Sequence, residues 1–300
     1  MNPLTRDGVL PKTIDERDHL GGVLFDLPKL ADLPIHYVVE GGLPVKDQGI
    51  LDFCSAYASC YASEFQEGVI LEPSFTFMMS KVLTGDPEAW GQQLRDIARA
   101  HAKYGALETT QIPTSLVGSM DRERLVGIEN WGNIKDLCDK AIVHKKASFF
   151  AITGPYDHFD NAKATLYKFK DERRAVVFGT LWDNSWSAGQ RIIDTLPQNG
   201  FGHALAIVGF TYENGTEYLV VQNSWGDNGI HGRHLFTREV INQAVERYGA
   251  FMFSDIPKEK QQWYMENGIS SEDNWASAII KAIWVAIIRL FNKREYAKTH

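Results

Sequence analysis

Three side chains far apart in the sequence could together carry out nucleophilic chemistry. A cysteine attacks only as the thiolate, and an ordinary cysteine titrates near pH ~8.5. Cys54 stands at the start of a predicted helix, whose unpaired N–H groups favour an anion. His203 begins a predicted strand after a Gly-Phe-Gly run, and an imidazole there could take the thiol proton. Asn223 ends the next predicted strand, where its amide could orient the imidazole.

Two further residues could complete such a site. The amide of Gln48, six residues before Cys54, could point at an attacked carbonyl and form an oxyanion hole with the Cys54 backbone N–H. Trp225 could shield the bond between the imidazole and the asparagine from water. We expect Cys60 and Cys138 to be core thiols. We expect five histidines to be surface or packing residues: His101, His144, His158, His231 and His234.

Four blocks of the sequence resemble the papain family of cysteine peptidases. The stronger three are VKDQG (45–49), GHALAIVGF (202–210) and YLVVQNSWGDNG (218–229), and the weaker one is LRDIARAHAKYGALETTQIP (94–113). The resemblance implies an α+β fold of two lobes: a helical N-terminal lobe and an antiparallel, β-barrel-like C-terminal lobe, with the active site in the cleft between them.

The same resemblance implies a chemistry. Peptide bonds of a protein or peptide substrate would be hydrolysed through an acyl-enzyme on Cys54, with His203 as general acid and base. Asn223 would orient His203, and Gln48 would hold the oxyanion. The resemblance implies no metal and no organic cofactor.

The sequence departs from the family around the nucleophile. The family usually has Cys-Gly-Ser-Cys-Trp there, whereas this chain has LDFCS at 51–55, without the upstream disulfide cysteine. Asp52 replaces a glycine, and its carboxylate could raise the pKa of the thiol or narrow the cleft. The glycine pair that lines the channel in relatives is reduced to one glycine. The candidate cleft residues are therefore Asp52, Trp90, Gly91, Gly202 and Trp225.

Two rival functions remain open at this stage. The chain could be a non-catalytic structural or binding module that uses the fold inside a larger assembly, for example a viral particle. It could also perform another acyl transfer at the same thiol, such as ligation or deamidation. Asp52 and the lost glycine favour the non-catalytic module, and the intact set of four site residues argues against it.

Composition excludes some classes of function and compartment. The 300 residues carry a net charge of −7 and no basic block, which argues against non-specific nucleic-acid binding. Three cysteines cannot form a secreted disulfide framework. The N-terminus has no apolar run typical of a secretory signal. These features predict a reducing compartment, either cytoplasmic or inside a virus particle.

The hydrophobic periodicity predicts helices first and strands later. Helices are predicted at 53–68, 75–83, 92–104, 134–145 and 158–172. Strands are predicted at 148–153, 175–182, 203–212 and 216–225, with another opening HGRHLFTREVI. Such segregation is typical of an α+β protein with two lobes.

We divide the chain into an N-terminal extension (1–32), a peptidase domain (33–257) and a C-terminal helical tail (258–300). The extension is expected to strap the lobes together rather than to inhibit, because inhibition would need the chain to run backwards through the cleft or to stop short of Cys54. In the tail, residues 275–291 form a largely apolar run in which only Lys281 and Arg289 are charged. We favour docking of this run to an assembly partner or a membrane surface over packing on the protein itself.

Overall fold

A helical lobe and a sheet lobe meet along one long buried helix. The computed structural model describes residues 8–13, 24–39, 41, 43–183, 186 and 189–254. Its helices are α1 (Cys54–Glu67), α2 (Pro73–Thr84), α3 (Leu94–Tyr104), α4 (Arg122–Val126), α5 (Ile134–Ala141), α6 (His158–Lys168) and α7 (Arg238–Tyr248). Its strands are β1 (Val9–Leu10), β2 (Tyr37–Val38), β3 (Gln92–Gln93), β4 (Ser148–Ala151), β5 (Val176–Trp182), β6 (Ile192–Ile193), β7 (Phe201–Glu213), β8 (Thr216–Gln222), β9 (Arg233–Phe236) and β10 (Ala250–Ser254).

Helix α1 lies between two hydrophobic cores. Its sequence, CSAYASCYASEFQE, is rich in small residues, which let neighbours approach closely on every side. Ala58 and Ala62 face the core built on the sheet, whereas Ala56 and Tyr57 face the core of the helical lobe. Gly68 ends the helix in the left-handed conformation, with φ 71°, which glycine adopts without steric cost. The helix predicted at 53–68 is therefore confirmed, and it joins the lobes.

Strands mostly from the second half of the chain form an eight-stranded sheet, to which β2 contributes from the first half. The strand order is β4-β10-β5-β7-β8-β9-β6, and β2 also pairs with β7. Neighbours are antiparallel except β6 and β9, which run parallel. Helices first and strands later agree with the predicted α+β class.

Within the described residues the barrel-like lobe is an open sheet, which is consistent with the predicted α+β fold. Its ordered path ends at β4 on one side and at β6 on the other. Closing a barrel would require every edge strand to be paired along its length.

The N-terminal segment bridges the lobes. The Gly8 N–H donates to the Gly202 carbonyl of the sheet lobe at 2.9 Å, and the Gly8 carbonyl accepts from Gln92 N–H at 3.3 Å on the other side. Strand β1 then pairs with β3 in parallel, with Val9 opposite Gln92. Residues 8–10 thus contact both β7 and β3, and the strapping role of the whole extension stays a prediction.

The predicted tail helix at 275–291 lies outside the described residues. Within the described ranges, no helix combines the length and the apolar character needed to cross a bilayer.

Candidate active site

The thiol of Cys54 sits where the two lobes meet. Cys54 is the first residue of α1, as the sequence predicts, and its side chain is fully buried. The aromatic ring of Phe53, the preceding residue, stacks on Phe77 with ring centroids 4.0 Å apart, which anchors the start of the helix in the helical core. From the sheet lobe, the backbone of Ala204 hydrogen-bonds the sulfur. The nucleophile candidate therefore touches the residue that directly follows His203.

The imidazole of His203 is held on its Nε2 side. Nε2 lies 2.9 Å from Asn223 Oδ1, and this oxygen also accepts the Ser224 backbone N–H at 2.8 Å. Because the amide oxygen accepts, His203 carries its proton on Nε2 in the neutral state. Among the described residues Nδ1 has no hydrogen-bond partner, so its lone pair can receive a proton.

Aromatic rings pack around this pair. Trp225 stacks on the imidazole of His203 with centroids 4.1 Å apart and planes only 3° from parallel. Trp182 places its edge against His203 at 5.2 Å and against Trp225 at 5.5 Å. The sequence pointed to Trp225, but it offered no sign of Trp182 beyond its place at the end of a buried strand.

His234 is a further neighbour that sequence reasoning assigned to packing. Its Nδ1 lies 2.6 Å from the Gln190 carbonyl, so this nitrogen donates, and its Nε2 lies 3.5 Å from Asn223 Nδ2. Burial lowers the pKa of His234, which favours the neutral ring that can accept from the amide. The signal for this contact is the sheet register, which sets His234 opposite Val221 on the strand that leads to Asn223.

Gln48 is fixed between the nucleophile segment and the asparagine segment. Its Oε1 accepts from the Ser224 hydroxyl at 2.6 Å, and its Nε2 donates to the Leu51 carbonyl at 2.7 Å. A primary amide carries two N–H donors, so one remains for another acceptor. The side chain is fully buried beside the start of α1.

The protein's own N-terminal segment covers the thiol. A Cβ on Gly8 would come within 2.6 Å of Cys54 Sγ, so only a residue without a side chain fits there. Cys54, His203 and Gln48 are each 0% exposed. The expectation that the extension would only strap the lobes is thus incomplete, because the strap runs directly over the sulfur.

Burial sets the protonation of the covered pair. Burial raises the pKa of Cys54 to about 12, the charge of Asp52 adds to this rise, and backbone hydrogen bonds from Ala204 and the start of α1 only partly oppose it. Burial likewise lowers the pKa of His203 to about 3, against a favourable bond to Asn223. At neutral pH the covered site holds a thiol and a neutral imidazole. The expected activation of the thiol by the helix N-terminus is outweighed in this state.

The remaining cleft candidates occupy different places. Asp52 is buried and accepts the Gly91 N–H at 2.7 Å. Trp90 is 37% exposed, and the guanidinium of Arg122 lies 5.0 Å from its ring centroid. Gly202 offers its carbonyl to the N-terminal segment. In the described parts of the chain, no group of three or more histidine, cysteine or acidic side chains could hold a metal ion.

Comparison with known proteins finds similarity in part of the sequence. The family model described as "Papain family cysteine protease" matches residues 166–248, a range that includes His203 and Asn223 but neither Cys54 nor Gln48. The viral cathepsin of Lymantria dispar multicapsid nuclear polyhedrosis virus is 35% identical over 51 residues. That match spans 17% of this chain and 14% of the viral protein.

Solved structures share the fold over most of the chain. Xylellain, a cysteine protease from Xylella fastidiosa, superposes with a TM-score of 0.65 at 19% identity, covering 85% of this chain and 99% of its own. Procathepsin L 3 from the larval midgut of Tenebrio molitor gives 0.55 at 16% identity, covering 79% and 76%. At these low sequence identities, the superpositions show a shared fold only.

The matched segment contains two of the four sequence blocks, those at 202–210 and 218–229. The chain is thus similar to papain-family cysteine proteases in sequence over residues 166–248, and it shares the fold of solved cysteine proteases.

Proposed function

We propose that the protein is a thiol-dependent endopeptidase that hydrolyses peptide bonds of protein or peptide substrates through an acyl-enzyme on Cys54. The observation that carries the proposal is the arrangement of His203. Its Nε2 is bonded to Asn223 Oδ1 at 2.9 Å, its Nδ1 is left unbonded among the described residues, and the next residue's backbone reaches the Cys54 sulfur.

The chemistry follows from these groups in two steps. First, His203 Nδ1 takes the thiol proton and the sulfur attacks the substrate carbonyl carbon. The C–N bond breaks, the amine leaves with the proton from His203, and a thioester remains. Second, His203 removes a proton from water, the hydroxide displaces the sulfur, and the thiol regains its proton.

The oxyanion of each tetrahedral intermediate needs donors close to the sulfur. The Cys54 backbone N–H and the second N–H of Gln48 Nε2 are the candidates. The hydroxyl of Ser224 supports this role of Gln48, because it bonds Oε1 and keeps the NH₂ group on the opposite side.

A second candidate function has its own support. The complete burial of Cys54 and His203 is also what a non-catalytic module of this fold would have. In that case the segment over the sulfur would be a permanent part of the core, and no substrate would reach the thiol.

The decisive experiment displaces the segment without removing it. Because a Cβ at position 8 would lie 2.6 Å from Sγ, Gly8→Leu should push the strand out of the cleft. Pro11→Leu, a matched change at an exposed position of the same segment, should not. We expect Gly8→Leu to raise the rate of Cys54 alkylation by roughly tenfold or more, as local opening exposes the thiol.

The same proteins are then incubated with a peptide library, and the products are identified by mass spectrometry. Cleavage by Gly8→Leu that disappears in Gly8→Leu/Cys54→Ala is the expected result. Joined or deamidated peptides would indicate another acyl transfer. An accessible, readily alkylated Cys54 that cleaves nothing would favour the non-catalytic module.

A further inference from the structure

A buried ionic cluster outside the proposed catalytic set joins the nucleophile segment to one wall of the cleft. Asp52, two residues before Cys54, is fully buried. Its Oδ2 accepts from the Gly91 N–H at 2.7 Å, and its Oδ1 accepts from Arg122 Nε at 2.9 Å. These partners lie 39 and 70 residues away along the chain. One carboxylate thus ties together three segments that are distant in sequence.

Two cations hold the same wall through its carbonyl groups. Arg122 donates to Ala89 O at 2.5 Å and to Pro87 O at 3.3 Å. Lys81 is 2% exposed and donates to Ala89 O and Gly91 O at 2.7 Å each. The backbone of residues 87–91 is therefore fixed by charged side chains. No disulfide contributes, since all three cysteines of the chain are free.

The wall continues directly into β3, which faces the cleft. The Gln92 N–H donates to the Gly8 carbonyl at 3.3 Å, and the Gln92 side chain bonds Ser80 Oγ at 3.3 Å. Strand β1 shows that an extended chain in this cleft uses the backbone edge of β3. A substrate added as a strand would depend on the same main-chain groups.

We propose that Asp52, together with Arg122, is a positioning residue that fixes the β3 edge relative to the Cys54 sulfur, so that an extended peptide on that edge presents its carbonyl to the thiol. This inference rests on the proposed function. Misplacing a reacting group by about 1 Å can cost about a hundredfold in rate. Removing either partner of a buried ion pair leaves the other uncompensated, so the loss of Asp52 or of Arg122 should disturb the wall alike.

A purely electrostatic role of Asp52 makes a different prediction. Its negative charge opposes thiolate formation at Cys54, whereas the positive charge of Arg122 would favour the thiolate. Neutralising the two residues would then change the reactivity of the thiol in opposite directions. If the two residues instead fix the cleft wall, neutralising either one should disturb the wall in the same way.

The first test compares two thiol reagents in the full chain carrying Gly8→Leu. Iodoacetamide needs only the thiol, whereas a peptidyl vinyl sulfone also needs the cleft wall. We expect Asp52→Asn and Arg122→Met each to lower the ratio of peptidyl to iodoacetamide labelling by roughly tenfold or more. Arg124→Met, at an exposed neighbouring position, should leave the ratio unchanged. An unchanged ratio in both variants, with iodoacetamide rates shifted in opposite directions, would overturn the proposal.

The second test needs neither a freed cleft nor catalysis. Amide hydrogen exchange is followed over residues 89–93 in the otherwise unaltered chain, with exchange in β7 as the reference for global stability. We expect exchange at Gln92 to accelerate about tenfold in Asp52→Asn and Arg122→Met, because the strand loses its fixed support. Arg122→Lys keeps the charge but not the planar fork, and it serves if the other variants do not fold.

Wild-type exchange at Gln92 in every folded variant would contradict the proposal. The two proposals can also fail separately. Suppose that the chain hydrolyses no peptide, but Asp52→Asn and Arg122→Met both lower the ratio of peptidyl to iodoacetamide labelling. The positioning role would then stand, and the proposed peptidase activity would be rejected.

Discussion

The imidazole of His203 is constrained by two contacts of different kinds. Asn223 Oδ1 bonds Nε2 at 2.9 Å and fixes which nitrogen carries the proton. Trp225 lies flat on the ring at 4.1 Å and limits its rotation. The hydrogen bond selects the tautomer, whereas the stack selects the orientation. The two contacts therefore make separable contributions to any proton transfer.

This separation predicts unequal costs of mutation. In the Gly8→Leu background, His203→Ala should lower kcat/KM for a library-selected peptide by roughly 10²- to 10⁴-fold, since it removes the proton acceptor. Asn223→Ala should cost about tenfold less, because Trp225 still holds the ring. The exposed Asn130→Ala is the matched control. Equal losses at His203 and Asn223 would mean that the tautomer, not the ring position, limits the reaction.

At the scale of elements, the helix caps differ in how much of the fold they connect. Asp121 caps α4 through the Arg124 N–H at 3.2 Å, and Asp157 caps α6 through the Asp160 N–H at 2.9 Å. Asp157 also accepts from Arg238 at 2.7 Å and from Asn242 at 3.0 Å, both on α7. The cap of α6 thus also fastens two helices of the sheet lobe to each other.

The two caps form a matched pair for a stability measurement. Asp121→Ala should lower the free energy of unfolding by about 0.5–1 kcal/mol, the usual cost of losing a cap. Asp157→Ala should cost about 1–2 kcal/mol, since exposed charged contacts to α7 add only modestly. Urea titrations give both values. An equal loss for the two variants would show that the contacts with Arg238 and Asn242 contribute nothing.

Elements also explain why Asp52 could not be assigned from sequence. A carboxylate two residues from a thiol suggests repulsion, and its charge does raise the pKa of Cys54. Its hydrogen-bond partners come from the loop before β3 and from the start of α4. Only the packing of these elements brings Gly91 and Arg122 to the carboxylate.

At the scale of the whole molecule, two buried neutral histidines link stability to pH. Burial lowers the pKa of His101 to about 3, and that of His203 also to about 3. In the unfolded chain each would titrate near ~6.5. As pH falls below that value, the two histidines bind protons in the unfolded state but stay neutral in the folded state. Stability is therefore lost between about pH 6.5 and the folded pKa values.

His101 offers the cleaner test, because it lies away from the proposed site, between Ser59 Oγ and Ser63 Oγ. We expect the unfolding free energy to fall with a slope of up to ~1.4 kcal/mol per pH unit for each histidine. Between pH 5 and 6, His101→Gln should reduce the difference in bound protons between the unfolded and folded states by about one, and the slope should fall accordingly. The exposed Asn130→Ala, which removes no titratable group, should not change it. An identical slope in His101→Gln would show that this ring is protonated in the folded protein.

The sequence by itself determined the order of the elements and indicated the four candidate site residues, all of which are buried in the structure. Hydrophobic periodicity and turn residues specify helices and strands locally. Helix α1, the strand that carries His203 and the strand that leads to Asn223 could therefore be predicted. The roles of these residues came from a resemblance that spacing alone would not supply. Cys54 at the first turn of a helix is a local fact, and the structure places it there.

Tertiary structure decided what covers the site, what supports it and how it is charged. Gly8 over the sulfur, His234 beside Asn223 and Asp52 against Arg122 are contacts between distant segments. No local pattern encodes them, because they depend on how the lobes pack. Burial then reverses the expected state of the thiol: the helix start favours an anion, but desolvation under the N-terminal strand raises the pKa of Cys54 to about 12. Burial is a property of the whole fold, so the sequence could indicate the candidate nucleophile but not its protonation.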